Sequence, residues 1–528
     1  MKKNKQTFMQ GVMFLMFSQL LIKITGLIYK IYLTNKEGFG DTGNAIYSAG
    51  FQIYTIFLAI SSIGVPNAIA QLISSKSAVG DNKGAYRIFK IAISIFGILG
   101  FIGTAILFLN AKIIANTYLG MPEAELTIIA LSPSVFIVAI SSVLRGYFNG
   151  REKISVTANS QSIEQLLKTI LTIIMVEIFS IISEKNTIIM VASSAIATTI
   201  ATFFSFGYLY TLYIKNKREI WKDVINSSSK EKESVKRIIR SILYVSLPIT
   251  LTALLSAANR TIDTFSIVNI ISKYITPEEA KFKYGILTGK VEGLVILPYS
   301  FNIAFATTLI PTISASQARG EMEKAIKRIN FSILATILIS LPCTAILNAF
   351  AGPILKLLFP NAYLGETMLK ICSLSIVFVA LTQTMGGVLQ GLKKVKQPVI
   401  AIGVGAVIKL ILNPILLNIK ILNINGAIIA TIISQIVTFG ISFYYLRKYI
   451  GIKIGIIKFV IKPMTATILM ILISWNMYNN MQVNLIASLL IGIIVYLICI
   501  IALKILSREE IYMLPYGNKI YKTRKSKT

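Results

Sequence analysis

The chain has 528 residues, 55% of them hydrophobic and only 14% charged, where a soluble domain is nearer a quarter charged. Lys and Arg number 53 against 22 Asp and Glu, a net charge of +31. Those basic residues fall in alternating loops between apolar runs, which argues against a nucleic-acid partner and for membrane topology and contact with anionic membrane lipids.

Apolar runs of about 20 residues recur from end to end, the pattern of an all-α polytopic membrane protein with about fourteen transmembrane helices. The N-terminus opens like a signal peptide. Its apolar part is too long, carries Lys23 and lacks a small-x-small cleavage site, so it reads as a retained first helix. Six spans are expected near Phe8–Leu33, Ile46–Ser74, Ile88–Leu109, Leu126–Phe148, Thr157–Ile182 and Thr187–Tyr213. Six more follow near Ile238–Ile271, Gly285–Ile313, Ala325–Ala351, Glu366–Leu389, Pro398–Ile419 and Ile424–Leu446. A last pair lies near Phe459–Tyr478 and Val483–Leu506. The domain reading is an N-lobe over 1–214, a basic cytoplasmic linker over 215–237, a C-lobe over 238–447, a C-terminal helix pair over 448–506 and a basic tail over 507–528.

Loop charge sets the orientation. Lys2, Lys3 and Lys5 precede span one; Lys76, Lys83 and Arg87 follow span two; Arg151 and Lys153 follow span four. The linker, Lys393, Lys394 and Lys396, Lys453 and the tail continue the alternation. Both termini are therefore expected in the cytoplasm, with the protein in the cell membrane.

The two halves resemble each other. Span two leaves through Ile63–Phe89 (IGVPNAIAQ onward) and span eight through Leu309–Ile329 (LIPTISASQ onward), each with a proline, small residues, a glycine and a basic helix start. Spans four and ten both leave at L-x-G, at Leu144 and Leu389. The offset is about 240–245 residues in each case, so two six-helix lobes form a parallel repeat with a substrate path expected at their interface.

Charge inside the spans marks candidate function. Ser246–Val268 is apolar yet carries Asn259, Arg260 and Asp263. Arg260 and Asp263 are three apart and can pair on one helix face, as a local ion pair or as the lining of a wet cavity. Span eight carries Lys290 and Glu292; pairs such as Lys290 with Asp263 and Glu292 with Arg260 are open to them. Lys23 sits mid-span, whereas Lys30 lies near an outer end within snorkelling reach. Span five carries Glu164 and Lys168 at i,i+4, a structural pair or a cytoplasmic gate and headgroup-entry site opposite Arg145 and Arg151. Lys409 and Asn413 of span eleven occupy the repeat-equivalent place, and Glu177 stands alone near an outer end.

The absence of histidine removes His-based zinc sites and Ser-His triads. Cys343, Cys372 and Cys499 lie in apolar segments without paired spacing. There is no phosphate loop and no cluster of catalytic carboxylates, so neither an enzyme nor an ATP-driven pump is expected. No cofactor or metal is called for; membrane potential, Na+ or H+ would supply the drive.

Three motifs carry a family resemblance: GVPNAIAQ at Gly64–Gln71, SSVLRGYFNG at Ser141–Gly150 and NSQSIEQ at Asn159–Gln165. With the repeat and the extra helix pair, they resemble the stage V sporulation protein B and MurJ-like polysaccharide flippases of the multidrug/oligosaccharidyl-lipid/polysaccharide exporter superfamily. That resemblance implies alternating access and a lipid-linked saccharide substrate. It leans towards lipid II, for wall or spore-cortex peptidoglycan, with cell-wall synthases as candidate partners. It also implies cavity-facing cations on the first, second and eighth helices. Lys23 and Lys290 fit by position; the second-helix cation is missing, Gln52 lies near its place, and Arg260 is a candidate to compensate. An ion-coupled exporter of drugs or small molecules on the same fold is the alternative.

Overall fold

The computed structural model describes residues 8–62, 64–227, 233–299, 302, 313, 314, 316, 320–451, 455–507 and 510. The N-terminal lysines, Lys230 and Lys232 of the linker, the end of predicted span eight with Pro311, Lys453 and residues 511–528 of the C-terminal tail lie outside them. Among the described residues the chain is helical throughout, without strands.

The helices are α1 (Phe8–Asn35), α2 (Gly40–Ser62), α3 (Gly64–Ala78), α4 (Asn82–Ile113), α5 (Glu125–Gly150), α6 (Ile154–Ile182), α7 (Thr187–Ile225), α8 (Val235–Ile271) and α9 (Pro277–Gly285). A π-helical turn, Ile286–Val291, carries α9 into helical residues 292–299. After them come α10 (Met322–Ala349), α11 (Ala351–Leu358), α12 (Glu366–Ser373), α13 (Ser375–Gly391), α14 (Lys396–Leu417), α15 (Asn425–Ile450), α16 (Lys462–Asn479) and α17 (Leu485–Ala502). Twelve predicted spans coincide with helices long and apolar enough to cross a membrane. Of the other two, the first is α1, and the eighth begins in the turn after α9 and runs beyond the described residues.

Helix starts follow local chemistry. The side chains of Asp81, Asn186, Ser234, Thr276 and Asn484 each accept from a backbone N–H of the first turn, satisfying donors that would otherwise be orphaned. Helix α9 adds Pro277 in its first turn, Glu278 and Glu279 at its positive end and Lys283 at its negative end.

Two compact units appear. The first comprises Met1–Ser300, Leu358–Gly365 and Ile402–Ser434. In it the three motifs assemble on one another. A Cβ built on Gly146 would lie 2.9 Å from Pro66 O, and one on Gly150 would lie 2.9 Å from Ala70 O, so α5 rests directly on the backbone of α3. Arg145, between these glycines and the apolar run before them, reaches the third motif: Nε donates to Ser160 Oγ at 3.0 Å and NH2 to Glu164 Oε2 at 2.7 Å. Phe89, Tyr147, Phe148 and Ile69 fill the adjoining core.

The second unit comprises Phe301–Leu357, Glu366–Ala401 and Gln435–Thr528. Its core joins α10, α13 and the C-terminal pair α16–α17 through residues such as Leu334, Met385, Met470 and Tyr496. Tyr496 donates to Leu338 O at 2.9 Å, and Phe350 packs on Trp475 with ring centroids 5.5 Å apart. Asn302, Thr336 and Thr384 form a closed buried network, with Thr336 donating to Asn302 Oδ1 at 3.0 Å.

Candidate functional site

In the first unit, Gly285, Gly289 and Gly293 repeat every four residues along one face. A Cβ on Gly285 would sit 1.8 Å from Asp41 O, and one on Gly289 2.6 Å from Asn44 Cγ. Only glycine permits this approach to the start of α2. The approach delivers Lys290, fully buried, to Asp41: Nζ to Oδ2 is 2.8 Å, and Nζ also donates to Ala362 O at 2.5 Å. Asp41 Oδ1 has no partner among the described residues. The π-helical turn around Lys290 loosens the usual i→i−4 ladder, a device frequent at functional sites. One of its carbonyls, Thr288 O, accepts from Lys30 Nζ at 2.9 Å. Lys30 therefore does not snorkel to an outer end, as expected from its position; it is held across helices by a backbone dipole.

Helix α8 places Asp263 in a second buried pair. Lys409 Nζ lies 2.5 Å from Asp263 Oδ2 and donates to Asn259 O at 2.6 Å. Asn413 Nδ2 donates to Asp263 Oδ1 at 3.1 Å and to Ser266 Oγ at 2.6 Å. Lys409, expected from its repeat-equivalent place to mirror the span-five group, is thus paired with Asp263. Two sequence pairings are corrected. Lys290 pairs with Asp41, not Asp263. Arg260 does not pair with Asp263 three residues on; it faces Glu292, with Nε to Oε2 at 3.9 Å, as the alternative pairing had it. That contact is long, and the Arg260 side chain remains 51% exposed. Gln52 Nε2 donates to Thr261 Oγ1 at 3.2 Å, so it braces α8 from α2. Asn259 Oδ1 and Asn413 Oδ1 are buried without partners among the described residues.

Lys168 does not neutralise Glu164, which is taken by Arg145. The Lys168 ammonium instead lies over aromatic rings, 4.4 Å from Phe51, 5.4 Å from Tyr29 and 5.7 Å from Tyr47. Arg151 pairs with Asp223 and donates to Tyr147 Oη at 3.0 Å. Glu177, expected to stand alone, pairs with Lys36 at 2.5 Å and accepts from the Tyr32 hydroxyl. Lys30 has Glu292, Arg260, Lys168 and Lys23 as its charged neighbours, and Arg260 acts on Lys23 in turn. Lys23 has no acid within ion-pair distance among the described residues. Cations Lys23, Lys30, Lys168, Arg260, Lys290 and Lys409 thus stand with acids Asp41, Asp263 and Glu292, six against three in this set.

The sequence profile of the family described as polysaccharide biosynthesis protein matches residues 8–317, and that of the MatE family matches residues 289–415. This chain belongs to the polysaccharide biosynthesis protein family. The family member is 26% identical over 478 residues to lipid II flippase MurJ of Bacillus subtilis (strain 168), covering 88% of this chain and 86% of that protein. It is 22% identical over 521 residues to stage V sporulation protein B of the same organism, covering 97% and 98%. A solved structure of lipid II flippase MurJ in an inward closed conformation shares the fold, with a TM-score of 0.69 and 19% identity over 92% of this chain and 97% of that one. With twelve helices long and apolar enough to cross a membrane among its described residues, the chain is a multi-pass membrane protein of this family. Within this family member, sequence reasoning missed Asp41 and the rings around Lys168. Asp41 opens α2 within GFGDTGNA and reads locally as a helix-start acid. The glycine repeat on the facing helix was the available signal that something must pack there at backbone distance.

Proposed function

We propose that this chain is an alternating-access flippase that carries an undecaprenyl-pyrophosphate-linked saccharide, lipid II foremost, from the cytoplasmic to the outer leaflet. The observation that carries this reading is the cation surplus of the first unit. Lys30 is held by a carbonyl, Lys168 by rings and Arg260 by one distant carboxylate, and Lys23 has no acid within ion-pair distance among the described residues, so their charge is not cancelled locally. A pyrophosphate is a dense anion that needs several such cations away from bulk water, and a guanidinium can grip it bidentately. Arg260, half exposed and near Lys23, is the group best placed to do so. An anion moving outward across a membrane that is negative inside gains roughly 2.3 kcal/mol per charge per 100 mV, so the membrane potential favours the loaded step. The names of the relatives agree with this cargo. A peptidoglycan role, in the wall or the spore cortex, and cytoplasmic termini belong to the same proposal.

The MatE match over 289–415 favours a second reading, an ion-coupled exporter, with the Asp263–Lys409–Asn413 group as its coupling site. One experiment separates the two. A strain depleted of its lipid II flippase is complemented with this chain, and lipid II translocation is followed. Wild type is expected to rescue; Lys23→Gln and Arg260→Gln are expected to reach the membrane and fail. A well-expressed wild type that does not move lipid II refutes the substrate. Rescue by both variants refutes the site.

A further inference from the structure

Helix α7 runs Thr187–Ile225, 39 residues or about 58 Å, twice what a hydrocarbon core of about 30 Å requires. Its last three turns carry a face unlike the rest. At about 100° per residue, Ile214, Arg218, Trp221 and Ile225 fall within a sector of roughly 60°, flanked by Lys217 and Lys222. All six are exposed and line one shallow recess. The helix's acids lie off this face: Asp223 is committed to Arg151, and Glu219 sits on the flank. Aromatic rings lie behind Trp221. Trp221 packs on Tyr86 at 5.7 Å, and the Tyr86 hydroxyl lies 3.2 Å from that of Tyr213. Clustered Tyr and Trp mark the membrane–water interface. The recess offers apolar side chains for acyl carbons and three cations for phosphate.

We propose that Lys217, Arg218 and Lys222, with Trp221 as the platform, form a binding site for the headgroup of an anionic phospholipid, separate from the cation cluster around Arg260 and independent of the cargo reading. Charge complementarity favours a lipid anion over an apolar occupant. The interleaved Ile214, Trp221 and Ile225 favour a lipid over a soluble acidic protein.

The test uses the full chain with Trp475→Phe, which leaves Trp221 as its single tryptophan, since the sequence has two. Reconstituted into bilayers of phosphatidylcholine and phosphatidylglycerol, Trp221 fluorescence is quenched by bromine-labelled versions of each lipid in turn. The expected result is markedly stronger quenching by brominated phosphatidylglycerol. That preference collapses at 1 M salt, where the Debye length falls to about 3 Å. At roughly fivefold per basic residue, the combined Lys217→Gln, Arg218→Gln and Lys222→Gln variant weakens it about a hundredfold. Equal quenching by the two lipids in the unmutated face overturns the proposal, as does a preference that survives high salt. The salt titration needs only the Trp475→Phe chain to fold, not the triple variant.

Discussion

Replacing Asp41 with Asn tests the assembly of α2 on the glycine face. Lys290 has no exposed surface and its only carboxylate partner among the described residues is Asp41, whose side chain is 2% exposed. Removing one member of a buried pair strands the other charge and costs about 3–5 kcal/mol. Lys290→Met is expected to cost a similar amount, since it strands Asp41. Combining the two removes both charges, so the loss should be far smaller than the sum. It does not vanish, because Lys290 also donates to Ala362 O, and a buried carbonyl left without its donor costs about 1–3 kcal/mol. The double variant should therefore retain a deficit of about that size. Chemical denaturation of purified wild type, both single variants and the double variant in mixed micelles gives the four corners of the cycle. Single variants within 1 kcal/mol of wild type, or a double variant equal to the sum of the singles, would refute a desolvated, coupled pair.

Other outcomes follow from the same contacts. Gly289→Ala should lower the yield of monodisperse protein in size-exclusion chromatography, because its Cβ meets Asn44 at 2.6 Å; Gly97→Ala, with nothing within 4 Å, should not. Arg145→Leu strands Glu164 and leaves Ser160 and Ser205 without their donor, and should lose about 3–5 kcal/mol in denaturant titration. Lys185→Ala breaks only an exposed pair with Glu37 and should leave the denaturation midpoint in place. Lys409→Met should destabilise by about 3–5 kcal/mol, and adding Asp263→Asn should recover most of it in the same titration. Per folded molecule, translocation measured in vesicles should fall further for Arg260→Gln than for that Lys409–Asp263 double variant.

The spans were legible because a bilayer demands long apolar helices with internal hydrogen bonding, and that demand is written locally. Asp263 was legible as a residue needing a partner for the same reason. Its partner was not. Lys409 lies 146 residues away and Asp41 lies 249 residues from Lys290. Local spacing offered Arg260 to Asp263 and Lys168 to Glu164, and both offers were declined. A pair at i,i+3 or i,i+4 is worth only a few tenths of a kcal/mol on a solvated helix. A cross-helix partner that also fixes packing outweighs it where water is absent. The motif glycines show the other side: Gly146 and Gly150 had no evident role until α3 was seen lying against them.

The cations of the first unit are satisfied in two physically different ways. Lys290 and Lys409 are matched by carboxylates at hydrogen-bond distance, so each pair is close to neutral and its field dies away quickly. Lys30 is matched by a carbonyl dipole and Lys168 by ring quadrupoles, which stabilise a cation without cancelling its charge. Arg260, 3.9 Å from Glu292 and half exposed, sits between the two cases. Matching every cation with an acid would give a stable fold with nothing left to attract an anion. Leaving them bare would cost too much to insert. Dipoles and rings resolve this conflict. They let the membrane hold charge that remains available, and they place that charge beside Lys23 and Arg260, where an anionic headgroup can be met.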